Sequence, residues 1–151
     1  MIVEATVTVN GSKEAVWAAI TNIEGAATII TGIQKIEIVE KPAKGLVGLR
    51  WRETRLFFGK PATVEKWITD AAENTSYKTR AESDGQVFVS AMSIAETGAG
   101  TVTLTAAHDS KADGFVRTFV MIVMGPLFKG VAKKAILKDL NDIKSAVEHK
   151  G

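Results

Sequence analysis

The 151-residue chain has no cysteine, which excludes disulfides, thiolate metal sites and cysteine nucleophiles. It has little charge of one sign. Nineteen Lys and Arg residues face 17 Asp and Glu, a net charge of +2, so charge alone gives no ground for a nucleic-acid partner, and none is expected. The longest apolar stretch, Phe119 to Phe128, is about half of the roughly 20 residues that span a bilayer, so no transmembrane segment is expected. Met1-Ile2-Val3-Glu4 lacks the basic region and apolar run of a signal peptide, and a cytoplasmic location is expected. The sequence has no GxSxG elbow, Walker A loop, GxGxxG or HExxH, and its two histidines, His108 and His149, are far apart. No carboxylates recur with metal-ligand spacing, so neither a metal nor a cofactor is expected.

What is present suffices for a core. The chain is 46% hydrophobic and 24% charged, ordinary values for a globular protein, and its length fits one domain over residues 1–151. Residues 2–9 are rich in β-formers and read as a strand. Asn10-Gly11 breaks it, Ser12 is placed to cap a helix over Lys13 to Ile20, and a second short helix is expected from about Ile23 to Ile30, ending at Gly32. Six strands follow, near 33–40, 48–58, 62–70, 75–83, 86–95 and 100–108. Phe115 to Glu148 then carries one helical pattern, with Ala132, Ile136, Leu140, Ile143 and Val147 on a single face and a break expected at Gly125-Pro126.

Turn chemistry suggests which side chains face inward. A two-residue turn at Asp84-Gly85 puts Ala81 opposite Phe88, Thr79 opposite Ser90 and Tyr77 opposite Met92, the apolar set. A turn at Gly59-Lys60 puts Phe57 opposite Ala62, Arg55 opposite Val64, Glu53 opposite Lys66, and Trp51 opposite Ile68, with Arg52 over Trp67 on the other face. A three-residue loop, Thr97-Gly98-Ala99, sets Met92 against Leu104, Ile94 against Val102 and His108 across from Phe88. These registers carry Glu53, Arg55 and Lys66 inward with Trp51, Phe57, Val64 and Ile68.

A packed core seldom holds a carboxylate and two cations, because each desolvated charge costs several kcal/mol unless paired. A partly hydrated cavity accommodates them better. The facing helix brings Met121, Met124, Gly125 and Phe128, adaptable or space-leaving residues that suit a variable apolar ligand. The candidate ligand-binding set is therefore Trp51, Glu53, Arg55, Val64, Lys66, Tyr77, Phe88, Met92, Leu104, His108, Met121, Met124, Gly125 and Phe128. The same methionines and aromatics also suit plain core packing, and Glu53–Lys66 also suits a surface cross-strand pair. Only the set as a whole favours a cavity.

The order of elements, with Glu14-Ala15-Val16-Trp17 after the first strand, resembles the START-like helix-grip superfamily, the birch-pollen-allergen fold. Val47 to Arg55, then Phe58-Gly59-Lys60, add to the likeness. Gly125-Pro126-Leu127-Phe128, followed by Leu140, Lys144 and Glu148, resembles its polyketide cyclase/dehydrase and lipid-transport branch. The resemblance implies an α+β fold in which a seven-stranded antiparallel sheet wraps a long C-terminal helix, with two short helices between strands 1 and 2. It also implies an internal cavity for a lipid, polyketide or isoprenoid-like molecule. It carries over no catalytic set, so activity rests on the residues. Three functions follow as expectations: a carrier or sensor of a small hydrophobic ligand, a cyclase or dehydratase using Glu53 as general acid or base, and a chaperone-activator-like interaction module. Burial raises a carboxyl pKa and neighbouring Lys66 or Arg55 lowers it, and the sequence leaves that contest open, as it leaves the oligomeric state.

Overall fold

Val3, Ala5 and Val9 are buried and alternate with exposed neighbours, a period of two that makes β1 (Ile2–Asn10) a strand with one covered face. In the computed structural model, backbone is described for residues 2–57, 59–83, 86–112 and 114–150, and side chains for residues 2–56, 59–82, 86–110 and 129–149. After β1 come α1 (Lys13–Thr21) and α2 (Ala26–Ile29). Six strands follow: β2 (Ile33–Glu40), β3 (Arg50–Phe57), β4 (Lys60–Ala72), β5 (Ser76–Ser83), β6 (Gln86–Gly98) and β7 (Thr101–Ala112). The chain ends in α3 (Gly114–Lys150). The seven strands form one antiparallel sheet in the order β1-β7-β6-β5-β4-β3-β2, the helix-grip arrangement expected from the sequence.

Local chemistry explains the boundaries. Ser12 caps α1, its Oγ accepting from the Ala15 backbone N–H at 3.1 Å. The second helix is shorter than expected: α2 covers four residues, and Thr31-Gly32 turns the chain into β2. A Cβ on Gly32 would lie 3.2 Å from Arg55 Nη1, so the glycine leaves room for that guanidinium. Gly125-Pro126 does not divide α3, whose backbone is helical from end to end. A proline inside a long helix removes one hydrogen bond, and the flanking turns carry the helix across it.

Two hairpins differ from expectation by the same step. Phe57 pairs with Lys60, because the left-handed Gly59 (φ 78°) takes the second loop position rather than the first. Arg55 therefore opposes Ala62, Glu53 opposes Val64, and Trp51 opposes Lys66. The cation over Trp67 is accordingly Arg50, 4.3 Å from the ring centroid, and not Arg52. Between β6 and β7 the loop closes at Gly98–Thr101 with Gly100 left-handed (φ 75°), so Met92 opposes Ala106, Ile94 opposes Leu104, and His108 opposes Ser90 instead of Phe88. Both slips are two positions. An even slip leaves every side chain on its expected face. The β5–β6 register agrees with expectation, with Ala81–Phe88, Thr79–Ser90 and Tyr77–Met92 paired.

The core lies between the inner face of the sheet and α1 and α3. Leu104, Val9 and Val16 are fully buried beside Ile68, Leu140 and Ile143. The α3 face read from the sequence is the one that packs: Ile136, Leu140 and Ile143 are buried, and Ala132 and Val147 lie against them. The helix also covers the free edge of β1. Lys144 Nζ donates to the Thr8 carbonyl at 2.5 Å, and the Asn10 N–H donates to Glu148 Oε2 at 2.8 Å, so two side chains take the place of a neighbouring strand. No helix among the described residues is long and apolar enough to cross a membrane.

Candidate functional site

Between the sheet, the α1–α2 segment and the C-terminal half of α3 lies a cavity of about 100 Å³. Among the described residues its apolar walls come from Ile20, Ile23, Ile29 and Ile30 on the α1–α2 side, Ile136, Leu140 and Ile143 from α3, and Trp51, Tyr77, Met92 and Ala106 from the sheet. Its polar surface is contributed by Glu53, Arg55, Lys66, Thr79, Ser90 and His108 from the strands and Asp139 from α3. The volume is below the roughly 300–1,000 Å³ of drug-sized ligand sites, so this conformation suits a small molecule.

The charges are knitted together. Glu53, only 7% exposed, accepts from Arg55 Nε at 2.6 Å and Lys66 Nζ at 3.1 Å on one oxygen, and from Trp51 Nε1 at 3.3 Å on the other. Arg55 then reaches α3, where Nη2 lies 2.9 Å from Asp139 Oδ2 and Nη1 donates to Oδ1 at 3.2 Å. Two carboxylates thus meet two cations, and each charge has a partner. Ser90 Oγ and His108 Nδ1 share a hydrogen bond of 2.8 Å, and Tyr77 donates its hydroxyl to the Ile20 carbonyl at 3.1 Å. No group of three or more His, Asp or Glu side chains among the described residues converges as a metal site.

The contest over Glu53 is settled by its partners. Burial pushes its carboxyl up, but Lys66 and Arg55 together outweigh burial and hold it at about 2, a permanent carboxylate at neutral pH. Burial likewise opposes the charge of Arg55, and Glu53 and Asp139 more than restore it. Tyr77 is pushed well above its usual range by burial and further by Glu53, so the phenol stays protonated. His108 is pushed below its usual value by partial removal from water, then by Lys66 and Arg55. Much of the residue remains open to solvent, which tempers the shift, and the imidazole is neutral.

A family model described as polyketide cyclase/dehydrase and lipid transport matches residues 1–148. The chain belongs to that family. Among solved structures, a Thermus thermophilus protein superposes with a TM-score of 0.82 at 12% identity, covering 100% of this chain and 99% of that one. A START superfamily protein from Mycobacterium smegmatis gives 0.82 at 19% identity, over 99% of both chains. The Zhui aromatase/cyclase of a Streptomyces species gives 0.80 at 19% identity, over 99% of this chain and 94% of that one. These likenesses establish the fold. No curated protein matches the sequence significantly.

In this member of the polyketide cyclase/dehydrase and lipid-transport family, seven of the residues singled out from sequence line the cavity: Trp51, Glu53, Arg55, Lys66, Tyr77, Met92 and His108. Three do not. Leu104 is fully buried core, and Val64 and Phe88 are half-buried beyond the cavity lining. The side chains of Met121, Met124, Gly125 and Phe128 lie outside the described residues, as does the Asp84-Gly85 turn. Sequence reasoning passed over Thr79 and Ser90, although the β5–β6 register had already put both on the inner face. It also passed over Asp139 and the isoleucines of the α1–α2 segment, whose docking onto the sheet leaves no local pattern.

Proposed function

We propose that this protein binds a small hydrophobic or amphipathic molecule in the cavity between sheet and α3, as a carrier or sensor. The observation that supports this most directly is the union of isoleucine walls with a fully paired ionic cluster around open space. A solid core would hold neither the space nor the charges. Native mass spectrometry of the protein purified from its own host tests the reading, because a co-purifying small molecule would name the ligand class. In vitro, p-xylene is expected to raise the melting temperature by mass action, and Ala106→Leu, which fills the cavity floor, is expected to abolish that rise. An equal rise in the variant, folded by circular dichroism, would remove the cavity as the binding place.

A second reading, cyclase- or dehydratase-type chemistry, is favoured by one feature. His108 is a neutral imidazole at the cavity with Nδ1 already hydrogen-bonded to Ser90. Glu53 does not suit the acid–base role, since a carboxylate held near 2 carries no proton to give at neutral pH and accepts one poorly. On this reading His108 moves the proton and Lys66 or Arg55 steadies a developing enolate. Turnover of an aromatic polyketide or β-keto substrate that is lost in His108→Gln and kept in Glu53→Gln would support it. No turnover by the wild type would discard it.

A further inference from the structure

The cavity's charges cancel among the described residues, and beside the paired charges stand uncharged hydrogen-bonding groups. Glu53 and Asp139 are matched by Arg55 and Lys66 through contacts of 2.6, 2.9 and 3.1 Å. An incoming ionised head group would have to leave water for a space whose cations are already committed, and no surplus charge would repay the desolvation. Thr79 differs from these four. It is 8% exposed, lines the cavity, and among the described residues its hydroxyl has no hydrogen-bond partner. No buried side-chain nitrogen or oxygen among the described residues is sealed off without a partner, so the Thr79 hydroxyl borders the open space. Directly across the strands stand Ser90 and then His108, giving a row of hydroxyl, hydroxyl and neutral imidazole along the sheet wall.

We infer that the ligand is a hydrophobic molecule whose polar end is a neutral hydroxyl or carbonyl, such as a phenol, alcohol or ketone, hydrogen-bonded by Thr79 with Ser90 beside it. It is not a fatty-acid-like carboxylate, a phosphate ester or an amine. The inference rests on the cavity being the ligand site. The apolar body of such a molecule lies against Ile23, Ile29, Ile30 and Ile136, opposite the sheet. Thr79 acts here as a specificity residue, since a hydroxyl both donates and accepts and so reads alcohols and ketones alike.

Three ring compounds of similar shape separate the possibilities: p-cresol, p-xylene and p-toluate, titrated near neutral pH by NMR against wild type, Thr79→Val and Ser90→Ala. Wild type is expected to bind p-cresol at least about tenfold more tightly than p-toluate. Thr79→Val, which keeps the shape and removes the hydroxyl, is expected to weaken p-cresol about five- to tenfold and leave p-xylene unchanged. Ser90→Ala provides a second variant if Thr79→Val does not fold. Binding of p-toluate as tight as that of p-cresol would overturn the inference while leaving the cavity reading intact, as would indifference of p-cresol to both variants. Failure of all three compounds to bind would overturn both.

Discussion

Arg55 on β3 and Asp139 on α3, 84 positions apart in the sequence, meet at 2.9 Å and tie the sheet to the helix across the cavity. The same guanidinium neutralises Glu53 at 2.6 Å, so one side chain serves both the helix–sheet contact and the deepest charge in the site.

Arg55→Met removes both contacts at once. Glu53 keeps only Lys66 as a cation, and Asp139 loses the one it pairs with across the cavity. Breaking a buried pair costs about 3–5 kcal/mol, and the partial exposure of Arg55 and Asp139 lowers the expectation to about 2–4 kcal/mol by urea denaturation. Adding Glu53→Gln is expected to recover part of the loss, because the stranded buried charge is then gone. A double variant whose loss equals or exceeds the sum of the two single losses would show that the charges are not coupled as the geometry implies.

Acid is expected to destabilise the fold in two steps. For Glu53 the folded value lies below the ordinary 4.5, so its stabilisation is present above 4.5 and is lost as pH falls towards about 2, a swing on the order of 3 kcal/mol. His108 is also depressed, from 6.5, so its smaller contribution is lost earlier, as pH falls below 6.5. At the other end Tyr77 is raised, and its contribution is lost as pH climbs beyond 10. Chemical denaturation across pH checks all three. Glu53→Gln should flatten the lowest limb, His108→Gln the middle one, and Tyr77→Phe the alkaline one. An unchanged acid limb in Glu53→Gln would mean other carboxylates govern it.

The reason so much of the site was legible lies in the period of the strand. Both misplaced hairpins slipped by two residues, and alternation returns to the same face after two, so Glu53, Arg55, Lys66 and His108 kept their expected face despite wrong partners. A slip of one would have turned them all outward. The left-handed glycines at 59 and 100 mark the actual loop positions, but the sequence offers adjacent residues as equally good turns. Asp139 was illegible for another reason. On α3 it reads as one more exposed-face carboxylate, and only the docking of helix against sheet brings it to Arg55. Thr79 sat on the predicted inner face but gave no chemical signal, since an inward threonine gains meaning only once its hydroxyl is seen beside open space.

The β1 edge gives a prediction that reads dynamics. Lys144 and Glu148 satisfy the Thr8 carbonyl and the Asn10 N–H, groups that a neighbouring strand would otherwise bond. Glu148→Gln keeps a carbonyl acceptor and Glu148→Ala removes it. Hydrogen exchange at the Asn10 amide is expected to quicken strongly in Glu148→Ala and mildly in Glu148→Gln, with the amides of β6 unaffected. Equal protection in all three proteins would show that the edge is shielded by packing alone.

The balance of charge in the cavity can be tilted deliberately. Asp139→Asn keeps the shape of the α3 side chain and removes one negative charge, leaving Arg55 and Lys66 against Glu53 alone. A surplus cation now faces the open space, and an anionic ligand gains a partner it lacked. The ratio of p-toluate to p-cresol affinity is the measurement of choice, because any loosening of α3 affects both compounds and cancels. That ratio is expected to rise at least about fivefold, roughly 1 kcal/mol, the size of one partly solvated charge interaction. The gain should fade in high salt, since screening weakens an unpaired surface-connected cation more than a hydrogen bond. If the ratio stays where it was, the cavity does not sort its ligands by charge, and shape must do so instead.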